Sequence, residues 1–243
     1  FGAYQGTGIR QRPSENIAFV PTPAMLAGDF TTFASPACNG GRQVNLTGGF
    51  VNNRIDPALF SQAGLNLAKR LPSTTDPCGL ITFDVQSNKD EAQSILRLDY
   101  QLTSDHSFFG RYMGSHFTQE PGYAGGSDSI LKTNVVGADD MVHSFTLGET
   151  SVLSASMVNA VRLAVNKVKV DNYQNAFFSP RDIGANIYSY LPGYMSLNIT
   201  GGFTMYTGTN TNALFFNDTY QVAEDLTVVR GNHQLGIGGE WGH

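Results

Sequence analysis

The chain has 243 residues, of which 14% are charged and 11% aromatic, with a formal net charge of −5. That charge density lies well below the roughly 25% of an average soluble domain, and with so many aromatic rings it hints at a non-aqueous neighbour. The acidic balance offers phosphate backbones no general attraction, which sets aside a nucleic-acid partner, and no stretch approaches the 18 or so uninterrupted apolar residues of a membrane-spanning helix, so any crossing would have to be made by strands.

In chain order, Phe1-Gly2-Ala3-Tyr4 carries no Met, basic or apolar leader signal, so the opening reads as an excerpt rather than a secretory start. Residues 1–10 give the first strand signal. The next eighty or so residues, 11–90, are rich in Pro, Asn, Gly, Ser and Thr, far longer than an ordinary connection, and read as a functional loop or small inserted unit. Inside it Asp56-Pro57 opens a helix, with Phe60, Ala63, Leu67 and Leu71 at helical spacing before Pro72 stops it. Cys38 and Cys78 sit in polar sequence without a companion at metal-ligand spacing. They point to a disulfide of an oxidising exterior, with two unrelated thiols as the alternative.

From Ile95 the period changes to two: Leu96, Leu98, Tyr100 and Leu102 alternate with Arg97, Asp99 and Gln101. The turn Thr103-Ser104-Asp105 leads into Phe108-Phe109-Gly110-Arg111-Tyr112-Met113, a tight antiparallel hairpin. A polar loop follows, 117–138, carrying Pro121 and several glycines. The second hairpin runs over 142–148 and 159–170, where Val161, Leu163 and Val165 oppose Ala160, Arg162 and Ala164. A further long connection, 171–211, precedes a third pair at 214–223 and 233–241. Here Tyr220 and Val222 alternate with Thr219 and Gln221, and Leu235, Ile237 and Trp241 with Gln234, Gly236 and Glu240. The apolar members of all three hairpins are expected on one face of a single sheet.

Strands of about ten residues, alternating short and long connections, and aromatics near strand ends favour a membrane barrel. The fold class expected is therefore all-β, an antiparallel up-and-down transmembrane β-barrel segment of about seven strands, incomplete as a barrel and lacking a self-contained core, with long extracellular loops. Either an eighth strand lies in 194–206 or more strands follow His243. In this reading Arg97, Asp99, Gln101, Arg111, Arg162, Gln221 and Glu240 face the lumen. Tyr123, Tyr173, Phe177, Phe178, Tyr188, Tyr190, Tyr194 and Tyr206 are candidate ligand contacts in the loops, the bland alternative being that they pack the loops together. The competing architecture is a soluble, secreted β-sandwich binding module, carbohydrate-binding or adhesive, which shows the same alternation.

No enzyme chemistry is expected. His106, His116, His143, His233 and His243 have no partner at metal-ligand spacing, so no metal or cofactor site is read. Gly236-Ile237-Gly238-Gly239 lies in a strand pattern with no helix after it and is no dinucleotide loop. Asp139-Asp140 and Glu224-Asp225 are adjacent carboxylates that point to opposite sides of an extended chain, and read as solvated loops or turns.

Several local patterns resemble the Oar-like TonB-dependent receptors. Phe1-Gly2-Ala3-Tyr4-Gln5-Gly6, Val20-Pro21-Thr22 and Ala27-Gly28-Asp29-Phe30 are similar to that family's early barrel strand and first loop. Asn53-Arg54-Ile55-Asp56-Pro57 with Leu71-Pro72 resembles its next loop element. Arg97-Leu98-Asp99-Tyr100 with 105–112, and 225–235 with Gly238-Gly239-Glu240, resemble its hairpins. The resemblance covers nearly the whole chain and implies that residues 1–243 are part of the barrel of an outer-membrane transporter. Its partners would be outer-membrane lipid, a plug domain and remaining strands of the same parent protein, the TonB complex indirectly, and an unknown ligand such as an oligosaccharide or peptide. No TonB box, plug or closing strand ending in an aromatic is recognisable here, which places the energy-coupling element and barrel closure outside this sequence.

Overall fold

The computed structural model describes residues 1–11, 15–126, 128–207 and 212–243, without the side chains of residues 206 and 207. In chain order the elements are β1 (Gly2–Gln11), β2 (Asn16–Phe19), helix α1 (Pro23–Leu26), helix α2 (Gln62–Ala68), β3 (Leu80–Phe83) and β4 (Ser87–Gln101). They continue with β5 (His106–Gln119), β6 (Gly137–Ser154), β7 (Met157–Tyr173), β8 (Met195–Asn198), β9 (Thr204–Thr207), β10 (Ala213–Arg230) and β11 (His233–Gly242). Among the described residues, seven strands form one sheet in the order β1-β4-β5-β6-β7-β10-β11, all of its neighbours antiparallel. With the small β2–β3 and β8–β9 hairpins set aside, each strand pairs with its predecessor in the chain, which is an up-and-down meander. The sheet does not close on itself, because β1 and β11 each pair on one side only.

The strands outrun their sequence signals. β4 begins at Ser87, eight residues before the alternation starts, and β10 continues through Glu224 and Asp225 to Arg230. The extensions carry polar residues on both faces, so main-chain pairing holds them while no period-two pattern marks them. Asp139-Asp140 and Glu224-Asp225 accordingly lie in strands, not in the loops or turns expected for them.

Register fixes which residues share a face, since paired residues in an antiparallel ladder project to the same side. One row crosses the sheet as Leu98, Gly110, Leu147, Leu163, Val222 and Trp241. The row beside it runs Leu96, Tyr112, Phe145, Val165 and Tyr220, and Tyr100, Val161, Leu235 and Ile237 occupy the same face. This face is uncovered: Leu98 is 66% exposed, Leu147 60% and Trp241 61%. The chain exposes 15417 Å² for its 26.2 kDa, against about 10,600 Å² for a compact monomer of that mass. The two-sheet sandwich is thus excluded, because among the described residues no second sheet packs on these leucines and valines.

The three short turns all lie at one end of the sheet, at residues 102–105, 155–156 and 231–232, and the three long connections, 12–86, 120–136 and 174–212, at the other. The described parts of those long connections fold together into a cap with a core of its own, built from Ala18, Val20, Leu67, Tyr123, Ile130, Leu131, Phe178, Ile183, Met195, Phe203 and Met205. The expectation of no self-contained core therefore holds for the sheet and fails for the loops. Residues 194–206 supply no eighth barrel strand: β8 and β9 pair only with each other, inside the cap. The helix expected from Asp56 to Leu71 is broken at Phe60, whose backbone is extended. A 3₁₀ turn at Pro57–Leu59, capped by Asp56, precedes α2, capped by Ser61.

Candidate functional site

Opposite the apolar face, the same register brings Arg97, Asp99, Gln101, Arg111, Arg162, Gln221 and Glu240 onto one side of the sheet. Their partners are neighbours on that side. Arg97 reaches Asp99 at 2.7 Å and lies over the Phe109 ring, 4.3 Å from its centroid. Gly148 makes room for that ring, because a Cβ there would come within 2.2 Å of it. Arg162 pairs with Asp225 across β7 and β10. Arg111 donates to Thr146 Oγ1 at 3.3 Å, and Ser144, Asn166 and Thr219 continue a cross-strand ladder at 2.6 and 3.1 Å. A hydrated surface of paired charges thus backs a hydrocarbon-like one.

Paired polar groups flank the apolar band on both sides. Toward the short turns, His106 Nδ1 lies 3.0 Å from Glu149 Oε1 and Asn159 donates to Glu224 at 2.8 Å. Toward the cap, Tyr112 Oη meets His143 Nδ1 at 2.8 Å and Lys167 pairs with Asp218 at 3.0 Å. From Asn159 to Lys167 on β7 the chain advances about 27 Å, roughly 20 Å of depth at the ~40° tilt of barrel strands. That approaches the ~25 Å apolar band of outer-membrane barrels.

The cap is built by local rules that the sequence carries. Gly28 has φ of +90°, and a Cβ there would lie 2.1 Å from the Ile55 carbonyl oxygen. This close approach lets the Gly28-Asp29-Phe30 and Asn53-Arg54-Ile55 segments pair. Phe30 N–H donates to Asn53 O at 3.0 Å, Ile55 N–H to Gly28 O at 2.9 Å, and Arg54 to Asp29 at 3.0 Å. Hydrogen bonds from the Thr31 hydroxyl and backbone N–H hold the Asp29 carboxyl below its ordinary pKa. Around this junction Phe30 packs edge-to-face with Phe33, Phe50 and Phe60, at centroid distances of 6.3, 5.2 and 6.4 Å. Cys38 and Cys78 are bonded, their Cα atoms 5.4 Å apart.

Links between loops make the cap one body. Phe19 N–H donates to Gly202 O at 2.9 Å, Asn66 Nδ2 to Ile183 O at 3.1 Å, and Asn175 Nδ2 to Tyr123 O at 2.8 Å. Arg70 lies over the Phe178 ring, 4.3 Å from its centroid. In the second loop, burial pushes the Asp128 carboxyl up, but hydrogen bonds from the Ala124 and Ser129 N–H groups and from Lys132 outweigh it and leave the pKa lowered.

The candidate loop aromatics separate into two groups. Tyr123 and Phe178 are buried in the cap core, with Phe177 packed against them. Burial raises the Tyr123 phenol pKa. Tyr173 ends β7 and donates to Gln119 O at 3.4 Å, and Tyr194 accepts from Asn212. Tyr188 and Tyr190 project outward, 82% and 79% exposed. The side chain of Tyr206 lies outside the described residues.

Sequence reasoning missed a cleft of about 330 Å³ between the first and third loops, lined by Phe19, Met25, Phe30, Phe60, Ile199 and Phe203 among others. A signal existed: Phe30, Phe33, Phe50 and Phe60 are too many rings for a solvated loop.

A meander with one exposed apolar face, one polar face, tight turns at one end and long folded loops at the other is the wall of an outer-membrane β-barrel. The family model described as outer membrane beta barrel domain matches residues 1–243. The chain belongs to that family, and its place is the bacterial outer membrane. No curated protein and no solved structure matched it.

Proposed function

We propose that this chain forms part of the barrel wall and the ligand-capturing exterior of a TonB-dependent receptor that takes up its ligand at the expense of energy. The observation that carries the reading is the cap: the long loops form a cored body with an open cleft, as capture requires, instead of a loose fringe. In this reading the apolar face meets lipid, and Arg97, Asp99, Gln101, Arg111, Arg162, Gln221 and Glu240 line a lumen that a plug domain of the parent protein fills. The chain contributes binding and gating surfaces and no catalysis. Among the described side chains, Tyr188 and Tyr190 are the loop aromatics free to touch a ligand, whereas Tyr123, Phe177 and Phe178 serve the cap. The resemblance to Oar-like receptors supports energy coupling through TonB. The test is capture of the periplasmic domain of TonB by the full-length protein purified from outer membranes. Specific binding is expected, and its absence would end the TonB-dependent reading while leaving the barrel intact.

A further inference from the structure

We infer that the cleft between the first and third loops binds an uncharged, predominantly hydrocarbon group of a ligand arriving from outside the cell, an inference that rests on the cap being the extracellular capture surface. The walls are preformed. Phe19 N–H bonds to Gly202 O at 2.9 Å and Val20 N–H to Gly79 O at 2.8 Å, and Cys78, held to Cys38, is part of the lining. Met25 and Phe203 are 7% and 8% exposed, fixed in place by the packing behind them. At the mouth the opposite condition holds: Phe19 is 39%, Leu26 40% and Ile199 43% exposed, apolar surface that no element of the described cap covers. A volume of about 330 Å³ falls within the range of ligand pockets.

The lining chemistry selects the ligand class. Among the described residues no charged side chain lines the cleft, and its side-chain hydroxyls are those of Ser61 and Thr200. Ser61 Oγ already accepts the Gly64 N–H at 3.5 Å as the cap of α2. A sugar or a peptide backbone seated here would bury hydroxyl or amide groups with too few partners, and each unpaired polar group is penalised. A hydrocarbon segment leaves nothing unpaired and gains from every apolar contact with the rings. The oligosaccharide or peptide expectation for the ligand therefore does not extend to this cleft, whose preference is an acyl chain, a terpenoid-like group or a neutral ring system.

The test uses the full-length protein in lipid nanodiscs and an uncharged twelve-carbon fatty alcohol bearing a diazirine, with a diazirine-bearing maltooligosaccharide as the comparison probe. After irradiation, peptides are mapped by mass spectrometry. Adducts of the alcohol are expected at 30–33, 60–68 and 199–203, suppressed at least tenfold by excess unlabelled 1-dodecanol. The double variant Gly64→Leu with Ala68→Phe fills the cleft and should suppress them equally, while adducts on the lipid-facing Leu98 and Leu147 persist as the internal control of folding. Labelling confined to the barrel strands, loop labelling that is not saturable, loop labelling that survives the filled cleft, or preferential labelling by the sugar probe would each overturn the inference. Because the reaction needs no TonB, the two ideas fail separately. A labelled cleft without TonB binding removes the transport reading alone, and TonB binding with an unlabelled cleft removes only the ligand class.

Discussion

Opening the bond between Cys38 and Cys78 should loosen the cap and leave the barrel untouched. The bond spans 40 residues of sequence, and in a chain-entropy treatment closing such a loop in a free chain is worth about 4 kcal/mol. The first loop is not free, however, because Gln11 already pairs with Ser87 at its base. Closing one loop inside another already closed reduces the effective length to about 19 residues, and the stabilisation to about 3 kcal/mol. With the barrel folded, that amounts to roughly a hundredfold change in the local opening equilibrium. The assay is hydrogen exchange with mass-spectrometric detection on the full-length protein in nanodiscs, comparing the native form with Cys38→Ser/Cys78→Ser. Protection should fall by about two decades for amides that fold the first loop, such as those of Ala34 and Val44, and stay constant in β5, β6 and β7. Unchanged loop protection would refute the entropic argument. A parallel loss in the strands would show that the loop is not an independent unit.

Three further outcomes follow from the same geometry. Gly28→Ala meets both a left-handed backbone and the Ile55 carbonyl. It should cost at least about 1–2 kcal/mol, read as faster exchange at Phe30 and Ile55, whereas Gly40→Ala, also at positive φ but in open space, should cost no more than the conformational part. Leu147→Arg places a charge in the middle of the apolar row and should destabilise reversible folding into phospholipid vesicles by about 2–4 kcal/mol, while Ala164→Arg, on the other face, should be nearly neutral; equal effects would remove the facial assignment. Asp29 and Asp182 have carboxyl pKa values lowered by hydrogen bonds from Thr31 and Ser179 respectively. Their contribution is present above the ordinary carboxylate value near 4 and is lost as pH falls through the depressed values. Fluorine NMR of labelled phenylalanines in the cap should be constant from pH 7 to about 5 and change below about 4, and a transition near neutral pH would contradict the assignment.

The central thirds of the strands were legible because lipid on one side and polar groups on the other impose a period of two, visible from Leu96 to Leu102 and from Val161 to Val165. The cap-side end of β4, from Asn88 to Gln93, is polar on both faces and left no such trace, although it is paired throughout. The cap core was invisible for a different reason. Val20, Tyr123, Ile130, Phe178 and Met205 come from three different loops, and only tertiary packing brings them together. The same holds for the cleft, whose walls lie more than a hundred residues apart in sequence. What could be read locally was the capping chemistry, in Asp56-Pro57 and in Gly28-Asp29, but nothing in either segment announces that the two pair with each other. Asp139 and Glu224 looked like turn residues because strand interiors rarely carry adjacent carboxylates. They persist there because His116 and Lys169 face Asp139 at 2.6 and 3.6 Å and Asn159 serves Glu224.

The central claim, a membrane wall with lipid on one face, is tested most directly by a nitroxide scan along β7 in the full-length protein reconstituted in vesicles. Spin labels at positions 160 to 165 would be challenged with oxygen, which concentrates in lipid, and with a water-soluble paramagnetic reagent. Labels replacing Val161, Leu163 and Val165 should collide preferentially with oxygen, and those replacing Ala160, Arg162 and Ala164 with the polar reagent or with neither. A reversed phase, or no period of two at all, would contradict the account.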